Sequence, residues 1–393
     1  MSSPAHSAPP ASRHPVPHPE LERWRVEFPI LEDRTYLNSC SLGALSRRSM
    51  ALLGEYQELW NTMGASAWYE LWLGRMAELR EHVAWLLSAR EAEVALVPSV
   101  SAALASVASA VDYRTRNRVV VAELDFPTLA YQWLARRDVE VVMVPSDDGV
   151  GIPAERWAEY IDDRTAIVAT SHVFYSTGYV QDLEPIADAA HAAGALFVVD
   201  GYQSLGQICV DPRAAGADVY VGGPLKWLLG GPGLAYVWVR EERIRELEPT
   251  VVSWFGARDQ FDFRADALEL RQDAGRFSLG TPAVPTVYTA LGGMQIFREI
   301  GMEQIADRVA ALTSDLVDRL RAAGFQLRIA EDPARRSGIV MVRHPQAAGA
   351  VAGLAAEGII VDRRAEYVRI SPHFYNTVEE NARCVEALAR CGG

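Results

Sequence analysis

Residues 196–239 read LFVVDGYQSLGQICVDPRAAGADVYVGGPLKWLLGGPGLAYVWV. Three apolar runs stand out. Leu196–Val199 runs into Asp200 and Gly201, Val219–Gly222 leads through Gly223 to Lys226, and Leu234–Val239 follows a cluster of glycines. Runs that are apolar throughout, rather than in alternation, read as strands buried on both faces, as in a parallel sheet. Ligands of such sheets sit beyond the carboxyl ends of the strands. Asp200 closes one strand at that end, and Lys226 lies in the turn after the next. The lysine is flanked by Leu225, Trp227, Leu228 and Leu229. A desolvated amine has a lowered pKa and a free lone pair, which carbonyl chemistry requires.

The same rhythm extends over Glu93 to Met294. Val94–Val97, Arg118–Ala122, Glu140–Val144 and Ala166–Ser171 read as further strands, with helices over Ser101–Ala110, Leu129–Ala135 and Glu184–Ala193. This alternation predicts an α/β fold with a large, mostly parallel sheet covered by helices. Ser46 to Ser88 reads as two or more helices, and Thr286 to Leu320 as one long helical run. Beyond Phe325, strands at Gln326–Ile329, Gly338–Val342, Gly358–Asp362 and Tyr367–Ile370 alternate with helices, which predicts a small C-terminal α+β domain. Residues 1–19 are rich in Pro, Ser, Ala and His and read as a disordered tail. His6, His14 and His18 belong to that polar tail rather than to a metal site.

Length and charge narrow the function. A chain of 393 residues corresponds to roughly two to three domains. Lys plus Arg is 38 against 51 for Asp plus Glu, a net charge of −13. Nucleic-acid and anionic-membrane binders need broad basic faces, so neither partner is expected. Cys40, Cys209, Cys384 and Cys391 form no CxxC pair, which fits a reduced, cytoplasmic protein. No basic start leads into an apolar core, and no long apolar run follows, so neither a signal peptide nor a membrane span is expected. GxGxxG after a strand, GxxxxGK[ST], HExxH and GxSxG are all missing. Their absence argues against a Rossmann oxidoreductase, a P-loop enzyme, a zinc protease and a serine hydrolase.

The pairing of Asp-Gly-Tyr-Gln at 200–203 with Lys226, followed by Trp-Leu-Leu-Gly-Gly-Pro-Gly, resembles the pyridoxal-phosphate enzymes of fold type I. Within them it resembles the class V aminotransferase family, which includes cysteine desulfurases, kynureninases, isopenicillin-N-epimerase-like enzymes and some transaminases. The resemblance covers roughly residues 30 to 390. It implies an N-terminal segment over 20–60 shared with the small domain and the active site. It further implies a large cofactor domain over 61–295 and a small domain over 296–393.

The resemblance also assigns roles. Lys226 holds pyridoxal 5'-phosphate as a Schiff base, and Asp200 keeps the pyridine nitrogen protonated, which makes the ring an electron sink. Gln203 hydrogen-bonds the phenolic oxygen, and Phe126 stacks on the ring. Ser101 and Ala102, at the start of a helix, offer backbone N–H groups to the phosphate. Thr281, in Gly280-Thr281-Pro282, reaches the phosphate of a neighbouring subunit, which implies a homodimer with shared sites. Trp254 lies either at the phosphate or in interface packing. Arg369, in Val-Arg-Ile-Ser-Pro-His-Phe-Tyr-Asn-Thr, grips the α-carboxylate of an amino acid substrate with its bidentate fork.

The chain also departs from the family pattern. Desulfurases carry a nucleophilic cysteine shortly before the arginine, whereas GIIVDRRAEYVR at 358–369 has none. Where desulfurases have Ser and His before the lysine, Gly223 and Leu225 stand here. The phosphate must then lean on backbone, Thr281, and Trp254 or Ser204. Tyr175, where the family often has Asn, faces the substrate, serves as acid/base or packs in the core. Asn38 reaches the substrate carboxylate or forms a turn. Cys40 is expected as an inert small residue and His172 as structural. The expectation is a PLP-dependent enzyme acting on an α-amino acid through an external aldimine. A lyase-type reaction at the β-carbon, C–S or C–C cleavage without a persulfide cysteine, ranks first and transamination second. A non-catalytic PLP-fold binding protein is the rival from another class.

Overall fold

The computed structural model describes residues 16–391. His6 and His14 lie outside the described residues, with most of the proposed tail. The described end of that segment is held in place. The Arg308 guanidinium donates to the carbonyls of Pro17 and His18, and a 3₁₀ helix over Pro19–Glu27 follows.

Thirteen strands appear among the described residues, in chain order β1 (Thr35–Tyr36), β2 (Val94–Val97), β3 (Arg118–Ala122), β4 (Glu140–Val144), β5 (Thr165–Ser171), β6 (Leu196–Asp200), β7 (Val219–Gly222), β8 (Ala235–Val239), β9 (Leu327–Arg328), β10 (Val340–Arg343), β11 (Ile359–Ile360), β12 (Asp362–Arg364) and β13 (Tyr367–Ile370). The main sheet has seven strands in the order β2-β8-β7-β6-β5-β3-β4. Strand β8 runs antiparallel to both neighbours, and every other pairing is parallel. The mostly parallel α/β sheet is therefore present, with one reversed strand that periodicity does not reveal. Strands β5 to β8 are buried at every position. One face of the sheet packs under Leu104, Leu129 and Trp133, the other under Ile186, Leu291 and Phe297. Each such side chain contributes about 1.5–3 kcal/mol on burial.

The expected single helical run after Thr286 is two helices, Val284–Ile300 and Met302–Ala322. Gly301, at φ 94°, breaks them in a conformation that side chains rarely adopt. Helix Arg47–Met63 packs on the first of these. Their close approach requires Gly292, where an added Cβ would lie 2.4 Å from Ser49 Oγ.

The small sheet has the order β12-β13-β10-β9. The expected strand over Gly358–Asp362 is split in two. Ile359–Ile360 pairs with β1 from the N-terminal segment, and Asp362–Arg364 turns to pair with β13. The N-terminal segment thereby forms a separate two-stranded parallel sheet with β11 at one end, and at the other its Gly43 N–H bonds the Leu225 carbonyl beside the lysine.

Candidate active site

The carboxyl ends of β5, β6 and β7 open onto a cavity of about 280 Å³ whose walls include Ser99, Ser101, Phe126, Tyr175, Asp200, Tyr202, Gln203 and Lys226. Asp200 ends β6, and Gly201 follows because the Tyr220 ring fills the space a Cβ would need, 2.0 Å away. The turn then brings the Tyr202 N–H to Asp200 Oδ1 at 2.8 Å. Burial pushes the Asp200 carboxyl up, opposed by the Tyr202 N–H and by Lys226.

Lys226 follows β7 in a loop braced from several directions. Its carbonyl accepts from Leu229 N–H and the Pro224 carbonyl accepts from Gly230 N–H, with Leu229 held at φ 61°. The Trp227 indole N–H donates to Gln203 Oε1 at 2.8 Å, and the Trp227 carbonyl meets His373 Nε2 at 2.8 Å. His373 Nδ1 accepts the Phe374 N–H, so Nε2 carries the proton and donates. Burial, against the opposing Trp227 bond, lowers the His373 pKa to about 4 and keeps the ring neutral.

The Lys226 amine lies 4.8 Å from the Tyr202 ring centroid and 6.0 Å from that of Phe126. Burial lowers its pKa to about 8; Cys40 and Asp200 oppose the shift, and Arg369 and Arg364 add to it. A desolvated amine that shares a cavity with a buried carboxylate makes Lys226 the candidate reactive group of the site.

Other expected residues fall at the cavity to different degrees. Phe126 is 46 % exposed and meets Tyr175 edge to face at 5.1 Å. Ser99 caps the helix Val100–Ser109 through a 3.1 Å bond from Ala102 N–H, so that N–H is already taken, while Ser101 lines the cavity. Gln203 donates from Nε2 to the Cys40 carbonyl at 3.1 Å and retains a second N–H. Ser204 is not a wall residue. The chain winds from Gly201 into a turn that sends its hydroxyl inward to the Gly201 carbonyl and the Tyr220 phenol. That phenol also meets His172 Nδ1 at 2.9 Å, and burial lowers the His172 pKa to about 4. His172 is thus held neutral against the Tyr220 phenol.

Besides Ser204, three further expected residues stand away from the cavity walls within one chain. Trp254 packs edge to face on Phe255 at 4.5 Å and stacks on Phe263. Thr281 is exposed beside Trp60 and Trp72. Asn38 uses its main chain for structure, its backbone bridging Ser371 and its carbonyl accepting from Ser41 and Leu42. Cys40 is fully buried. Arg369 stands just behind the wall, its Nη1 donating to the Tyr175 carbonyl at 3.3 Å. Tyr202 and His373 were not singled out from sequence, although both lie inside the quoted motifs, the first between Asp200 and Gln203.

These positions can be set beside known proteins. The aminotransferase class-V family profile matches residues 47–380. An uncharacterized aminotransferase, YcbU, of Bacillus subtilis (strain 168) is 36% identical over 368 residues, covering 94% of this chain and 97% of that protein. A kynureninase of Burkholderia pseudomallei (strain 1106a) is 30% identical over 367 residues, 88% of this chain and 85% of that one. In fold, a cysteine desulfurase of Thermococcus onnurineus NA1 matches with a TM-score of 0.84 at 20% identity, over 97% of this chain and 99% of that one. A complex of the cystine C–S lyase C-DES with cysteine persulfide matches with a TM-score of 0.85 at 20% identity, over 93% and 100%. The chain belongs to the aminotransferase class-V family, and is an enzyme with the cofactor of that family, pyridoxal 5'-phosphate.

Proposed function

We propose that this enzyme acts on an α-amino acid, with a lyase-type reaction at the β-carbon, C–S or C–C cleavage, as its first reading. The observation that carries it is that half-buried Lys226, its pKa lowered by desolvation to about 8, and buried Asp200 line one cavity of about 280 Å³.

The donor set fits the cofactor. Lys226 supplies the amine, Asp200 the carboxylate for the ring nitrogen, Phe126 an exposed ring face, and Ser99 and Ser101 the start of a ten-residue helix for the phosphate. When bound, pyridoxal 5'-phosphate supplies an electron sink for charge developing at the substrate α-carbon. Asp200 holds a proton at the pyridine nitrogen, and burial makes that hydrogen bond stronger. Gln203 donates its free N–H toward the phenolic oxygen. Arg369 binds the substrate carboxylate and so orients the Cα–H bond. With the cofactor and substrate bound, Lys226 would be the base placed to take the proton at Cα through its lone pair. Tyr202, Phe126 and Tyr175 keep water from the reacting carbon.

The reaction at the β-carbon is supported by the kynureninase relative. A persulfide step is left out because no cysteine stands between Gly358 and Arg369. Transamination is the second reading, favoured by the 36% identity to YcbU, an aminotransferase by name. We further propose a cytoplasmic homodimer. Exposed Trp60, Tyr69, Trp254, Phe261 and Phe263 support the dimer, since such a collection marks a protein interface, and Thr281 lies among them.

Product analysis tests the reading. With cystine, cysteine and kynurenine-type amino acids, β-elimination releases ammonia and pyruvate, C–C cleavage releases alanine, and transamination converts the substrate to its keto acid without ammonia. Stoichiometric keto acid formation that requires an added amino acceptor would replace the first reading with the second.

A further inference from the structure

Strands β12 and β13 pair so that Asp362 lies directly opposite Arg369. Residues opposed in this way present side chains on one face. Here the two are in contact, with Arg369 Nη2 to Asp362 Oδ2 at 2.9 Å. The same oxygen accepts from Ser41 Oγ at 2.8 Å and from Arg364 Nη1 at 2.6 Å. The other carboxylate oxygen accepts the Arg363 N–H at 2.7 Å. Burial alone would raise the Asp362 carboxyl, but these donors and the two guanidinium groups outweigh it and hold it low.

Arg369 is differently placed from its neighbours. Its side chain is 1% exposed, against 27% for Asp362 and 41% for Arg364. Its Nη1 and Nη2 have partners, but its Nε is buried with none. A buried guanidinium N–H without an acceptor is costly, and a carboxylate bound side-on to Nε and Nη2 would satisfy it. Asp362 meets only Nη2. Two guanidinium groups face a single carboxylate, so the cluster retains one positive charge for a second anion.

We propose that Asp362 competes with the substrate carboxylate for Arg369, and that Arg364 holds Asp362 when the substrate takes its place. This rests on the amino acid reading above. The exchange needs little movement, because Asp362 already bonds Arg364 and the Arg363 N–H, and both contacts survive the loss of Arg369. Ser41, which bridges Arg369 and Asp362, is free to turn to either carboxylate. The arrangement sets substrate affinity by a local competition rather than by Arg369 alone.

The test uses the full-length holoenzyme and propionate, which carries the carboxylate without the reactive amine, with binding measured by calorimetry. Asp362→Asn removes the competing charge but keeps the acceptor for the Arg363 N–H, and should tighten propionate about tenfold, the value of one charged hydrogen bond. Arg364→Ala leaves Asp362 dependent on Arg369, and should weaken propionate several-fold. In the double variant the Arg364 effect should vanish, since Arg364 acts only through Asp362. Arg364 is the more exposed partner, so its variant provides a readout if Asp362→Asn proves unstable. Unchanged or weaker binding by a folded Asp362→Asn protein, or an Arg364 effect that persists in the double variant, overturns the competition while leaving Arg369 as the receptor. If neither wild type nor Asp362→Asn binds propionate, Arg369 is not a carboxylate receptor and the amino acid reading falls as well.

Discussion

The two halves of this site are built by different means. At the end of the main sheet, Asp200 and Gln203 are buried, Lys226 is half-buried, and their surroundings are braced by hydrogen bonds from neutral donors. On the small sheet, Arg369 sits in a charged cluster with Asp362, Arg364 and Ser41, and the two strand neighbours are partly open to solvent. Burial tunes the first half, because it shifts the protonation of an amine and an acid toward reactivity. Ion pairs shape the second, and on the proposed reading they exchange when a charged ligand binds and leaves. On that reading, chemistry would depend on rigidity, and recognition on replaceable contacts.

That contrast can be broken or sharpened experimentally. Lys226→Ala should reduce turnover by about 10⁴-fold or more and abolish the borohydride-reducible cofactor linkage; a linkage that survives would remove the lysine from its role. Asp200→Asn should cost about 10²–10³-fold in kcat, read in steady-state kinetics with the cofactor still bound. A variant with undiminished kcat would show that the buried carboxylate merely packs. His373→Ala should lower stability by about 2–3 kcal/mol, seen in thermal unfolding, since it leaves the buried Trp227 carbonyl without its donor. Phe126→Ala should weaken cofactor retention about tenfold, measured by equilibrium dialysis, and unchanged retention would reassign Phe126 to its contact with Tyr175.

The smallest effect concerns pH. The folded-state pKa of Lys226 is depressed to about 8, so the neutral amine grows as pH rises through 8 rather than through the ordinary lysine range. Cofactor capture by apoprotein should therefore speed up about fivefold between pH 7 and 8, followed by the visible absorbance of the linked cofactor. A rate still rising in proportion to hydroxide above pH 9 would mean that burial does not tune this amine.

Much of the cofactor half was legible in the sequence, because it is a local pattern. Apolar runs give strands, their ends give the crevice, and Asp200 and Lys226 occupy those ends within one stretch of chain. Side-chain direction was not legible. Ser204 is adjacent to Gln203, yet the turn after Gly201 sends it inward to Tyr220, and Ala102 spends its N–H on the Ser99 cap.

The sequence by itself determined the α/β alternation, the placing of Asp200 and Lys226 at strand ends, and the family, since each is carried by neighbouring residues, their periodicity and their motifs. Only the tertiary structure decided that β8 runs against its neighbours, that His373 braces the lysine loop from a distance of 146 positions, and that Asp362 stands opposite Arg369. Those features depend on strand register and long-range packing, which are settled when distant segments bury their surfaces together and leave no trace in local composition.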